Sequence, residues 1–325
     1  MKYLIVFFLF ITFFSDIISQ VHFTLKKELE INKASDTLLF QISGITTNTK
    51  EEIYISDKLD YKIKKFSPRG NLLIYKGRKG EGPEEFKLGP SNITYDLKYH
   101  RIAVIDQTTQ VVKLFNEKLV FNKSIFVPKN VADIEFDDKG NLIVSTPPLN
   151  DGLSSIFIYN NNDTLINSFN PVHLSGNVLM DIPNINVVRK YHRIICLYRF
   201  RNLIQIYDYK GILQQEFSIP GLPDIAETET PPQNISYLKW GIPTKVIFWD
   251  LASDSQGNLY ILGDDYSKHP RRDIYILNIH GKVIGEITLE NESKYIYIDN
   301  DDNLYATKNE GTTLEKYRII KNVKR

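Results

Sequence analysis

Asp254-Ser255-Gln256-Gly257-Asn258-Leu259-Tyr260-Ile261-Leu262 is a turn followed by a short aliphatic strand. Asp and Asn bond their own backbone in turns, and Gly or Asn tolerates positive φ, so Asp-x-x-Gly-Asn is hairpin chemistry. The phrase recurs. Its strand half stands at Ile53–Asp57, Arg101–Asp106, Asn141–Ser145, Arg193–Leu197, Asn258–Leu262 and Asn303–Thr307. The turn half reappears as Asp137-Asp138-Lys139-Gly140-Asn141 and Asp299-Asn300-Asp301-Asp302-Asn303. The strands start at residues 53, 101, 141, 193, 258 and 303, an average interval of 50. A four-stranded propeller blade takes roughly 40–50 residues, and a period of this size decides the fold before any local motif does.

The flanking segments complete each unit. A first strand is expected at Ile93–Leu97, Val131–Phe136, Val187–Lys190, Ile247–Leu251 and Lys294–Ile298. Third strands fall at Ile63–Phe66, Val112–Phe115, Ile156–Tyr159, Ile204–Tyr207, Ile274–Leu277 and Leu314–Tyr317. Fourth strands fall at Leu72–Lys76, Val120–Phe126, Leu165–Phe169, Leu213–Ile219 and Val283–Leu289. The sixth unit lacks a fourth strand, while Val21–Ile31 is strand-like and unassigned. The sequence therefore predicts an all-β, six-bladed β-propeller of four-stranded antiparallel blades. The N-terminal strand joins the C-terminal blade and closes the ring, which hides sheet edges. No stretch keeps a helical period with caps. A helical turn is allowed only at Gly82–Phe86 or within the insert 220–246.

Composition excludes several functions. The chain of 325 residues carries a formal net charge of +1, so no global field draws it to nucleic acid. Lys2, the apolar run Tyr3–Phe14 and the small Ser19 before Gln20 have the order of a secretory signal, and the run is too short to span a bilayer. Residues 1–19 are expected to be a signal peptide and residues 20–325 the propeller domain, exported to the periplasm or the extracellular space. The only cysteine, Cys196, sits mid-strand. An intramolecular disulfide, a cysteine zinc site and a lipoprotein cysteine at the signal junction are all excluded. No His-x-x-x-His or Gly-x-Ser-x-Gly is present.

After the first unit comes Arg78-Lys79-Gly80-Glu81-Gly82-Pro83-Glu84-Glu85-Phe86. It resembles the Gly-x-Gly-Pro-x-Glu-Phe segment of a six-bladed propeller family common among exported proteins of Bacteroidetes-type bacteria and related to NHL-repeat and TolB-like propellers. The blade phrases extend the resemblance over the whole mature chain. Glu84 stands where the commonest form has a second Gly, and the lipoprotein Cys of many such proteins is missing. The resemblance implies fold and compartment rather than an activity. Read by its own chemistry, the segment is a turn whose Phe86 fills the groove between blades one and two. Three glutamates and the lack of Gly-Lys-Ser/Thr argue against a phosphate cradle.

Propeller topology sorts the loops. Those joining strands two and three, and strand four to the next blade, share one face and vary in length; the other turns share the opposite face and are short. Sites reside on long loops over a rigid scaffold. The variable face should carry Asp57, Asp60 and Tyr61; Arg78 and Lys79; Asp106 and Gln107; Arg199 and Arg201; Tyr237, Lys239 and Trp240; and Asp264, Asp265, Tyr266, His269, Arg271 and Arg272. Arginines beside Tyr and Trp suit a carboxylate-bearing, sugar-like or peptide ligand, against the plainer reading of a solvated rim. The expected function is non-catalytic binding of a glycan, peptide or envelope protein at the channel mouth, with no cofactor. The alternative is a metal-dependent hydrolase or lactonase with a divalent cation held by Asp57, Asp106, Asp264 and Asp299. Hard cations need six or more converging oxygens. Asp137, Asp138 and Asp299–Asp302 are read as hairpin turns rather than calcium loops.

Overall fold

The computed structural model describes residues 21–32, 39–107, 109–149, 153–230 and 241–323. The expected signal, residues 1–19, lies outside them, as do Tyr237, Lys239 and Trp240.

Six four-stranded antiparallel sheets form the blades. Their innermost strands are Ile42–Thr47, Pro90–Asp96, Asp133–Phe136, Pro183–Val188, Phe248–Ser253 and Ile296–Ile298. Each touches the next, and Ile296–Ile298 returns to Ile42–Thr47, so the ring closes around a central channel. The second strands are the aliphatic phrases of the sequence. They are buried along nearly their whole length because both sheet faces meet a neighbouring blade. The core is accordingly divided. Six apolar clusters sit one in each groove between adjacent blades, such as Tyr54, Ile63, Phe86, Ile93 and Val104 between blades one and two.

Val21–Ile31 pairs antiparallel with Thr313–Val323 and becomes the outer strand of blade six. It is held by more than ladder bonds. Phe23 is buried against blade five, Lys27 pairs with Glu315 at 3.2 Å and Arg318 with Glu28 at 2.6 Å.

Turn chemistry repeats as closely as strand chemistry. In the first turns of blades three, five and six, Asp137, Asp254 and Asp299 each accept the N–H groups two and four residues ahead, at 2.8–3.0 Å. Asn141, Asn258 and Asn303 bond back to the same carboxylates. Asn116, Asn160, Asp208 and Asn278 play the same part between strands three and four. The acidic runs are thus turn caps.

Two expectations shift. Blade four begins at Pro183–Val188, not Val187–Lys190. Arg189–Tyr191 form a 3-10 turn closed by His192 in the left-handed region, which takes Arg189 and Lys190 out of the strand. Gly82–Phe86 closes a turn, with Glu85 N–H on Gly82 C=O at 3.0 Å, and forms no helix.

Removing residues 21–31 should expose the edge of Thr313–Val323 and forfeit the burial of Phe23 and Ile31. That burial alone is about 3–6 kcal/mol. A lower Tm and self-association by light scattering are expected; an unchanged monomer would show that closure contributes little.

Candidate functional site

The first strands each place one residue toward the axis just before an aliphatic one: Gly44-Ile45, Asn92-Ile93, Asp133-Ile134, Asn184-Ile185, Asp250-Leu251 and Tyr295-Ile296. The side chain ahead of each aliphatic residue lines the channel, and the aliphatic residue faces the groove between blades. Two of these residues clasp neighbouring blades. Asp133 accepts Ile134 N–H and, across the gap, Ile185 N–H of blade four, both at 2.8 Å. Asp250 accepts Leu251 N–H at 2.9 Å and Ile296 N–H of blade six at 2.8 Å. Asn92 donates its amide to Asp133. In blade one the position must be Gly, because a Cβ on Gly44 would lie 2.8 Å from Ile93 N.

The result is a polar channel with a cavity of about 500 Å³, lined from all six blades. Among the described residues five carboxylates line it: the turn caps Asp254 and Asp299 toward the short-turn face, and three on the first strands, Asp133 and Glu135 of blade three and Asp250 of blade five. Burial raises these last three above the usual carboxylate range. For Asp250 it outweighs the two N–H donors and nearby Arg199, and the carboxyl is pushed up to about 7.

Blade four supplies a guanidinium at each end. Arg189 follows its first strand and Arg199 its second, so the antiparallel hairpin sends one to the short-turn face and one to the long-loop face. Arg199 stacks over Trp249 at 3.8 Å from the ring centroid, and Arg271 approaches the same ring at 5.9 Å. Among the described residues the Arg199 side chain has no ion pair or hydrogen bond, and its Nε is buried without a partner. Arg189 Nε and Asn186 Oδ1, also lining the channel, are buried without one too. Burial lowers the Arg199 pKa against the pull of Tyr295, Asp264 and Asp250. Tyr295 is pushed up to about 12 by burial first and Asp250 second.

Arg199, Arg271 and Asp264 are the sequence-predicted residues that meet near Trp249. Asp264 is pushed up to about 6 by burial and Asp265, with Arg271 and Arg199 opposing. The others are dispersed. Asp57 is fully buried, accepts Phe40 and Gln41 N–H, and pairs with Lys64 at 2.7 Å. Asp60 joins the same lysine at 2.7 Å, and Lys79 lies over Tyr61. Asp106 accepts Lys87 N–H at 2.9 Å and pairs with buried Lys113 at 3.3 Å. Lys113 also donates to the carbonyls of Gly82 and Glu85 and lies over fully buried Phe86. The Gly-Pro-Glu-Glu-Phe loop is therefore nailed down from below, and Phe86 fills the groove between blades one and two as read from the sequence. Arg78 reaches solvent and pairs with Glu85 at 2.6 Å. Arg201 is committed to Asp181 at 2.9 Å and the His173 carbonyl. Tyr266 accepts Glu227 N–H, His269 pairs with Asp273 at 3.0 Å, and Arg272 donates to the Leu289 carbonyl. Asp265 accepts Val246 N–H, and Gln107 N–H bonds to the Gly89 carbonyl.

Among the described residues no three His, Cys, Asp or Glu side chains gather where they could hold a metal ion. Asp57 and Asp106 are sealed against lysines, and Asp299 caps a turn on the other face. Sequence reasoning missed Trp249, Asp250, Asp133, Glu135, Asn184 and Tyr295. The available signal was the recurring polar residue before the first-strand aliphatic.

No family model and no curated protein matches the chain. Solved structures do. A Bacteroides fragilis protein described as exported aligns over 93% of this chain and 96% of its own, with 16% identity and a TM-score of 0.64. A member of the DUF4221 family from Bacteroides vulgatus aligns over 93% and 100%, with 13% identity and a TM-score of 0.63. Virginiamycin B lyase from Staphylococcus aureus aligns over 92% and 100%, with 12% identity and a TM-score of 0.58. At these identities the likeness is one of fold. Among the described residues no helix is long and apolar enough to cross a membrane.

Two predictions test this geometry. Lys113→Ala leaves Asp106 buried without its cation and frees the loop; about 3–5 kcal/mol of stability should be lost in urea titration. Asp250 binds its proton more tightly folded than unfolded, so its contribution is full below about pH 4 and is lost as pH rises through about 7. Unfolding free energy measured across that window should fall less steeply in Asp250→Ala, by up to about one proton's slope. Equal slopes would refute the raised pKa.

Proposed function

We propose that the protein is an exported, non-catalytic binding module, cleaved after a signal at residues 1–19, whose propeller of residues 20–325 holds a glycan, peptide or partner protein at the long-loop mouth of its channel. One observation carries this reading: Arg199 is stacked on Trp249 at that mouth with no hydrogen bond or ion pair of its own among the described residues. A half-buried guanidinium without an acceptor is costly, and a ligand acceptor would satisfy it. Exposed Phe40, Leu59, Leu88 and Phe126 on the same face favour contact with something larger than a salt ion. The fold shared with a protein described as exported supports the compartment. The dispersed carboxylates give the metal-dependent hydrolase reading no donor set among the described residues.

The test is a screen of oligosaccharides and peptides by intrinsic tryptophan fluorescence and calorimetry, repeated with Arg199→Gln. A hit should weaken about tenfold or more in the variant, about 1.4 kcal/mol, while the melting curve stays close to that of the parent. A hit of unchanged affinity would place the ligand elsewhere.

A further inference from the structure

Beneath Arg199 the channel offers unused donors. Arg199 Nε is buried without a partner, the Tyr295 hydroxyl and the Asn184 side chain make no hydrogen bond among the described residues, and all three residues line one cavity. Tyr295 and Arg199 feel each other's charge, and both feel Asp250. The carboxylates of Asp133 and Asp250 are already occupied by backbone N–H groups. The surplus at this level is therefore in donors, and it is centred on a planar guanidinium whose fork matches a carboxylate. A phosphate dianion suits the place poorly, because Asp133 and Asp250 stand at the same level and Glu135 lines the same cavity. A cavity of about 500 Å³ has the size of a small-ligand site.

Resting on the binding reading above, we infer that this level of the channel is a carboxylate-recognition site, taking the carboxylate of a sugar acid or of a peptide C-terminus between Arg199, Tyr295 and Asn184. Trp249 backs the guanidinium and fixes its plane. Asp250 competes with the ligand for Arg199. The charged and titratable groups around it are Arg199 from blade four, Asp133 and Glu135 from blade three and Tyr295 from blade six. Its carboxyl ionises as pH rises through about 7, so a permanently ionised ligand should bind more weakly above that pH than below it.

The experiment uses the mature chain carrying Trp240→Phe, which leaves Trp249 as the only tryptophan. Its fluorescence is titrated with glucuronate and with N-acetyl-alanyl-alanine. Methyl glucoside and the amide of the same dipeptide are the neutral controls, and inorganic phosphate is the third anion. At least one acid should saturate, about tenfold or more tighter than its neutral control and than phosphate. Which acid does so identifies the source of the carboxylate. Affinity should fall several-fold between about pH 6 and about pH 8. Arg199→Gln should abolish the preference for acid, Arg199→Lys should restore part of it, and Tyr295→Phe should weaken binding about threefold. Acids that bind no better than neutral controls, no saturable response from either acid, or tighter phosphate would each overturn the carboxylate assignment. If neutral probes bind and Arg199→Gln weakens them, the binding reading survives without it. If they bind and the variant is indifferent, both fall.

Discussion

Every blade depends on its neighbours, because each second strand is buried on both faces by the blades beside it. A single sheet here would expose an apolar face on either side, so no blade is stable alone. The six interblade clusters form one core only when the ring is shut. The pairing of Val21–Ile31 with Thr313–Val323 shuts it by joining the two ends of the chain into one sheet. That pairing also covers the edge of Thr313–Val323 and leaves Val21–Ile31 as the outer strand.

The same closure makes the channel polar. Innermost strands from six blades converge, and each must turn one row of side chains toward the axis. Large apolar residues there would fill the axis or remain wet. The sequence instead places Gly, Asn, Asp, Asn, Asp and Tyr at one level, and two of these carboxylates carry hydrogen bonds between blades. The axial residues therefore have a structural duty first. Asp133 and Asp250 are spent on it, while Asn184, Tyr295 and Arg199 are not. That division separates clasp from proposed site within one cavity.

The fold was legible because its determinants are local and repeated: aliphatic second strands, Asx turns and a spare N-terminal strand. The burial of Phe86 was legible for the same reason, since a large apolar residue after a Gly-Pro turn has few places to go. The site was legible only in part. Arg199, Arg271 and Asp264 gather near Trp249, yet nothing in their spacing tells them apart from Arg201 or Asp57. The difference lies in partners. Arg201 has Asp181, twenty residues back across blade four, and Asp57 has Lys64 across one hairpin, and only strand pairing shows which side chains meet. Trp249 and Tyr295 look like strand residues, and their axial direction depends on strand register. A misplaced first strand in blade four kept Asn184 out of view.

Charge pairing also explains why the described acidic residues of the variable face do not gather into a set that could hold a metal. In blades one and two the second strand ends in Asp, and the third strand presents Lys seven residues later, giving Asp57–Lys64 and Asp106–Lys113. Both pairs are buried, and each lysine is also tied to its surroundings, Lys64 by Asp60 and Lys113 by loop carbonyls. A buried carboxylate satisfied by a fixed ammonium has no lone pair to lend a cation without first expelling that ammonium, which would then be buried uncompensated. Blade four has no such pair: after its second strand comes Arg199, which lines the channel and has no ion pair among the described residues. Blade six also ends its second strand in a cation, Lys308, but pairs it with Glu315 at 3.3 Å, so it is the lack of a partner rather than the sign of the charge that sets Arg199 apart.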